Sequence, residues 1–219
     1  SCACTVAPYR LSVVSGGEAS VSADEVVRPT LFEMRSEPGC LVFVVGPSGA
    51  GKDTLIRLAA RELDRDPLVR VARRVITRAS NDHEDHGSVD QAQFETMSAN
   101  GAFCLEWAAH GLRYGIPRQV EDEVRLGAIV ICNGSRAAAA RMRRRFVKSA
   151  IVLVTAPREI LAERLVARGR DVSVSNRLDR DLENWVHDDA DHVIDNSGNP
   201  ADAAAELVSY VRGLLPAGA

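Results

Sequence analysis

The sequence predicts an α/β fold with a parallel sheet covered by helices on both faces. Three observations lead there. Residues 41–45, 128–132 and 150–155 are short runs rich in Val, Ile and Leu with no polar alternation, as expected of strands buried on both sides. Stretches with helical apolar spacing lie between them, which implies crossover connections in a parallel sheet. The turn leaving the first run, Gly46-Pro47-Ser48-Gly49-Ala50-Gly51-Lys52, has the Gly-x-x-x-x-Gly-Lys spacing of a phosphate-binding loop.

Residues 1–38 hold Ser, Gly, Ala and Val without a sustained period, and are expected to form an N-terminal extension with the composition of a disordered segment. The turn Ser36-Glu37-Pro38-Gly39 leads into the first strand. Beyond the phosphate loop, Leu55, Ile56, Leu58, Ala59 and Leu63 mark one face of a helix opening near Lys52. Asp66-Pro67 breaks the pattern, and residues 69–77 read as a second strand with Arg78 at its end.

Asp82, His83, Glu84, Asp85 and His86 then form an acidic stretch that reads as a solvated turn rather than a structural metal site. Asp90 caps a helix over 91–100 that ends at Gly101, and 102–107 is a short apolar run. Residues 110–117 read as a loop, and Pro117 starts a helix that runs to Leu126. The strand over 128–132 ends in Asn133-Gly134-Ser135-Arg136, at the carboxyl edge where open parallel sheets bind ligands. A helix follows over 137–146, whose Arg141, Arg143, Arg144 and Arg145 read as a solvated face. After the strand at 150–155, Thr155 and Pro157 suit a helix start and Gly169 a stop. Residues 192–195 form a last strand, and 201–215 a closing helix.

The loop composition has a chemical reason. Glycines at 46, 49 and 51 let consecutive backbone N–H groups approach phosphate oxygens. The helix start adds unpaired N–H groups and the positive end of its dipole, while the Lys52 ammonium reaches the β and γ phosphates. Gly46, Pro47, Ser48, Gly49, Ala50, Gly51, Lys52, Asp53 and Thr54 are therefore the expected nucleotide-binding residues. Where such loops commonly carry Ser or Thr after the lysine, this chain has Asp53. Its carboxylate is a hard oxygen donor suited to Mg²⁺, with the Thr54 hydroxyl as the alternative ligand.

Bulk properties narrow the function classes. With 219 residues, 46% of them hydrophobic, the chain can build one α/β domain with a small insertion. A formal net charge of −3 gives no overall electrostatic footprint for nucleic acid. No run approaches the length of a membrane span, and cytoplasmic location is the default expectation. Five irregularly spaced cysteines argue for a reducing compartment; Cys104 and Cys132 lie in apolar runs, as small core residues do.

Together these features resemble a guanylate-kinase-like P-loop kinase over residues 40–215. The resemblance rests on the phosphate loop, Ile76-Thr77-Arg78, Gly101-Ala102-Phe103 with Glu106-Trp107, Tyr114-Gly115 and Arg168-Gly169. Gly51-Lys52-Asp53-Thr54, Glu84-Asp85-His86, residues 110–117 and Asn133-Gly134-Ser135-Arg136 are similar to one branch, in which the acceptor is a small phosphorylated sugar.

The resemblance implies a P-loop NTPase fold with a kinase domain over 39–219, an acceptor-binding insertion at about 76–118 and an arginine-bearing lid at about 164–180. It implies ATP as donor with Mg²⁺, Lys52, Arg168 and Arg177 as catalytic residues, and Arg78, His86, Glu106, Tyr114 and Asn133 as acceptor-binding residues. Ile116 stands where guanylate kinases place a hydroxyl that reads the guanine edge, and Asn133 and Ser135 replace an Asp-x-Asp segment. These changes disfavour the alternative acceptor, GMP, since loss of a polar contact weakens discrimination strongly. A non-catalytic binding module is the other alternative, and the intact phosphate loop argues against it.

Overall fold

A computed structural model of the chain describes residues 37–78, 87–109, 111–167 and 189–216. Five strands form the main sheet: β1 (Cys40–Val45), β2 (Val69–Ala72), β7 (Ile129–Asn133), β8 (Ser149–Thr155) and β9 (His192–Asp195). Their order is β2-β7-β1-β8-β9, and every pairing is parallel. The expected parallel sheet is present.

The pleat of β1 explains the two cores. Val42 and Val44 point to one side, where they join Leu55, Ile56 and Ala59 of α1 (Lys52–Leu63) and Leu207 and Val211 of the closing helix, Pro200–Gly213. Leu41, Phe43 and Val45 point to the other, against Val120 and Val124 of α3 (Gln119–Arg125) and Ala138 and Met142 of α4 (Arg136–Arg145). All five of these β1 residues are fully buried, so an alternating pattern would have left a polar side chain in one core. Helix α5 (Arg158–Ala167) follows β8, and Pro200–Gly213 becomes α6. Asn199 caps α6 by accepting from the Ala201 N–H, with Pro200 in the first turn.

A second, four-stranded sheet stands beside the first. It comprises β3 (Val75–Ile76), β4 (Gly87–Ser88), β5 (Phe103–Ala109) and β6 (Leu112–Pro117), in the order β4-β3-β6-β5. Between β4 and β5 runs α2 (Gln91–Ala99), whose Asp90 cap and Gln93 form a reciprocal capping box.

Three sequence readings change here. The single strand expected over 69–77 is two strands, because the chain leaves the parallel sheet after Ala72 and Val75 pairs instead with Gly115 of β6. The stretch expected to be a loop at 110–117 contains β6, which pairs with β5 from Ala109–Leu112 to Phe103–Pro117. Its glycines suggest a loop but serve other ends. Gly111, at φ 75°, turns the hairpin, and Gly115 lies under Phe103, whose ring a Cβ would meet. Pro117 still belongs to the strand, so α3 starts two residues later than expected.

Candidate active site

The phosphate loop joins β1 to α1 at the carboxyl edge of the main sheet. Gly46 has φ 149° and Gly51, the residue before α1, has φ 89°. A Cβ on Gly46 would strike the Val154 carbonyl oxygen, and one on Gly51 the amide nitrogen of Asn196, so both glycines are required by space as well as by backbone angle. Lys52 Nζ donates to the Gly46 and Pro47 carbonyls at 2.8 and 2.9 Å, which folds the ammonium back over the loop. From below, the Asn196 amide donates to the Ala50 carbonyl at 2.7 Å and its own backbone N–H to Thr155. Asn196 is only 2% exposed, so this tie is shielded from water.

A cleft of about 340 Å³ opens between the loop and the second sheet. Gly46, Ser48, Gly49, Gly51, Lys52 and Asp53, from the phosphate loop and the start of α1, line one side of it. Arg78, Tyr114 and Asn133, all expected on the acceptor side, line it too. The cleft wall is built by stacking. Trp107 is edge-on to Phe43 of β1 at 6.2 Å and lies flat on Tyr114, with centroids 5.2 Å apart and planes at 2°. The wall formed by the second sheet is thus keyed to β1, the central strand of the main sheet.

Asp53 sits where the two halves meet. Asn133 Nδ2 donates to its Oδ1 at 2.5 Å, and Arg74 Nη2 lies 3.5 Å from the same oxygen. The side-chain oxygen of Asn133 is buried without a hydrogen-bond partner, beside this carboxylate and at the cleft. A carboxylate and a neutral amide oxygen are hard donors, and Mg²⁺ is usually held by one or two such groups together with substrate phosphates and water. The residues present therefore fit the ion. Thr54, the alternative ligand, does not line the cleft.

Glu106 is not brought to the cleft. It follows the pleat of β5 to the face opposite Trp107, where Ser98 Oγ donates to its two oxygens at 2.9 and 3.0 Å and Arg113 Nη2 to one of them at 3.2 Å. Pro47, Ala50 and Thr54 shape the loop without lining the cleft. His86, Arg168 and Arg177 lie outside the described residues, as do the acidic stretch from Asp82, most of the lid and residues 1–36. Ile116 is fully buried in the core with Leu105 and Val120, and offers no polar atom to a base edge.

Two residues of the site escaped sequence reasoning. Arg74 lies in the cleft, with its guanidinium 5.6 Å over the Tyr114 ring. It resembled the other arginines around β2, although its period-two relation to Arg78 was a usable signal. Asn196 had none, since its partner is 146 residues away. Thiol chemistry has no place here: burial pushes Cys40 and Cys104 up to about 11 and Cys132 upward as well, so these thiols stay protonated at neutral pH.

A parallel sheet ending in a glycine-cradled lysine, facing an arginine and tyrosine wall across one cleft, defines a P-loop phosphotransferase. Residues 42–194 match the AAA domain family. The fold is similar to that of guanylate kinase from Anaplasma phagocytophilum, with a TM-score of 0.63 and 20% identity over 81% of this chain and 86% of that one. Closer in sequence is the ribose 1,5-bisphosphate phosphokinase PhnN of Methylobacterium radiotolerans, 47% identical over 80% of this chain and 98% of that protein. The protein of the same name from Rhodopseudomonas palustris is 42% identical over 80% and 89%. The chain belongs to the ribose 1,5-bisphosphate phosphokinase family.

Proposed function

We propose that this protein transfers the γ-phosphoryl group of ATP to ribose 1,5-bisphosphate, forming 5-phosphoribosyl 1-diphosphate and ADP. The observation that carries the reading is the cleft in which an intact phosphate loop faces Arg78 and Tyr114, with Ile116 withdrawn into the core. The names of the relatives supply the acceptor.

The chemistry follows from charge. A phosphate monoester has a second pKa near ~6, so the attacking oxygen of the acceptor's 1-phosphate is already ionised at pH 7 and needs no general base. That oxygen bonds to the γ phosphorus as the bond to the β–γ bridging oxygen breaks, and the electron pair leaves with ADP. Arg78 and Tyr114 hold the attacking phosphate in line, with the guanidinium fork suited to two phosphate oxygens. Lys52 leaves the Gly46 and Pro47 carbonyls to meet the charge on the moving group, assisted by Arg168 and Arg177 from the lid. Asp53 and Asn133 would hold Mg²⁺, which would supply positive charge to the phosphates of the donor. The family resemblance also assigns His86 to acceptor binding.

The test is a single-acceptor assay with ATP and Mg²⁺, the product being identified by mass. Formation of ADP together with 5-phosphoribosyl 1-diphosphate is the expected result. ADP release that is unaffected by ribose 1,5-bisphosphate would refute the proposal.

A further inference from the structure

Arg74 stands at the crossing between the two sheets. It lies two residues beyond Ala72, where β2 leaves the main sheet, and one before Val75, where β3 enters the second. Its backbone is tied to the second sheet, since its carbonyl accepts from the Gly87 N–H at 2.9 Å. Its side chain returns to the first half of the cleft, where Nη2 lies 3.5 Å from Oδ1 of Asp53 in α1. The same guanidinium lies over the Tyr114 ring of β6, 5.6 Å from its centroid. One side chain thus touches the residue that would hold the metal and the residue proposed to hold the reacting phosphate.

The surroundings keep both contacts in place. The Arg74 side chain is 12% exposed, so salt and water screen its charge poorly. Asn133 Nδ2 donates to the same Oδ1 of Asp53, which leaves Oδ2 without a side-chain partner among the described residues. Tyr114 in turn lies flat on Trp107, which packs on Phe43. A planar guanidinium can pair with a carboxylate and cover a ring at once, whereas an ammonium is a point charge on a flexible stem.

This bridge has a thermodynamic consequence. A ligand that orders Asp53 or Tyr114 also orders the guanidinium between them, so the second ligand binds at a smaller entropic cost. We infer that Arg74 is a positioning residue that couples the two halves of the site, so that magnesium nucleotide and acceptor each tighten the binding of the other. The inference deepens the proposed function and rests on it, both for the acceptor and for Asp53 as a metal ligand.

The test reads binding rather than turnover, by calorimetry. The probes are ribose 1,5-bisphosphate and, with Mg²⁺, the β,γ-imido analogue of ATP, which does not transfer its γ-phosphoryl group. In the wild type each ligand is expected to lower the dissociation constant of the other by the same factor, at least about fivefold. In Arg74→Lys the charge stays but the planar fork is lost. The factor then falls below about twofold, while each ligand alone binds within about threefold of the wild type. Arg74→Gln loses the coupling as well and, with the charge gone, binds each ligand alone more weakly. A plain charge effect would lower the separate affinities and leave the factor intact. Wild-type coupling in either variant, or no coupling in the wild type, would overturn the inference. Failure of the wild type to bind ribose 1,5-bisphosphate, with or without the nucleotide analogue, would refute the proposed acceptor and take the inference with it.

Discussion

The two sheets differ in how they are held, and the difference follows their tasks. The central strands of the main sheet are buried on both faces, its strands pair in uninterrupted parallel register, and each side of β1 has its own core. The second sheet has strands as short as two residues, a register irregularity between Phe103 and Leu105, and polar side chains on both faces. ATP presents the same triphosphate to every such kinase, so its cradle can be rigid. The acceptor is what distinguishes one kinase from another, and in the proposed function its wall is the smaller and more polar sheet. Trp107, packed on Phe43 and Tyr114, joins the two.

If that division is right, substitutions should separate donor effects from acceptor effects. The largest effect is expected at Lys52, which serves both halves. Lys52→Ala should lower kcat by at least about a hundredfold, the scale of a lost transition-state charge contact, with an unchanged circular dichroism spectrum. Full activity in the folded variant would break the account. Asn196→Ala should act on the donor half alone. Loss of the buried tie to Ala50 is worth about 1–3 kcal/mol, so KM for ATP should rise roughly 5- to 150-fold while acceptor KM holds.

Gly115→Ala should do the reverse. Its Cβ would press on the Phe103 ring, itself stacked on Phe94, at an overpacking cost of about 1–3 kcal/mol, so acceptor KM and the thermal midpoint should change while ATP affinity stays within about twofold. An equal change in ATP affinity would mean that the two halves are one mechanical unit. The smallest effect is expected at Glu106. Glu106→Gln removes a partly exposed ion pair with Arg113 on the far face of β5, and acceptor KM should change less than about threefold. A larger rise would place the carboxylate in the pocket when acceptor is bound.

The same contrast governs what could be read from the sequence. Strands of the main sheet are legible because burial on both faces demands apolar residues at every position, as in 41–45 and 150–155. The phosphate loop is legible because its glycines are dictated by close backbone approach. The second sheet is not, since its pairing is decided by partners elsewhere: nothing in Val69 to Ile76 marks the step from one sheet to another, and Gly111 and Gly115 look like loop residues until Phe103 is seen above one of them. Glu106 was expected in the acceptor pocket from the resemblance, and in this structure it faces Ser98 and Arg113 instead. Its adjacency to Trp107 in a strand already put the two on opposite faces.

The most direct measurement offers ribose 1,5-bisphosphate and GMP together, at equal concentration, with ATP and Mg²⁺. The initial ratio of the two products is the ratio of kcat/KM values, free of differences between protein preparations. The account predicts that 5-phosphoribosyl 1-diphosphate exceeds GDP by at least about a thousandfold, because Ile116 gives the guanine edge no partner and leaves its polar atoms unpaired. GDP formed at a comparable or higher rate would contradict it, and would make the second sheet a nucleotide pocket.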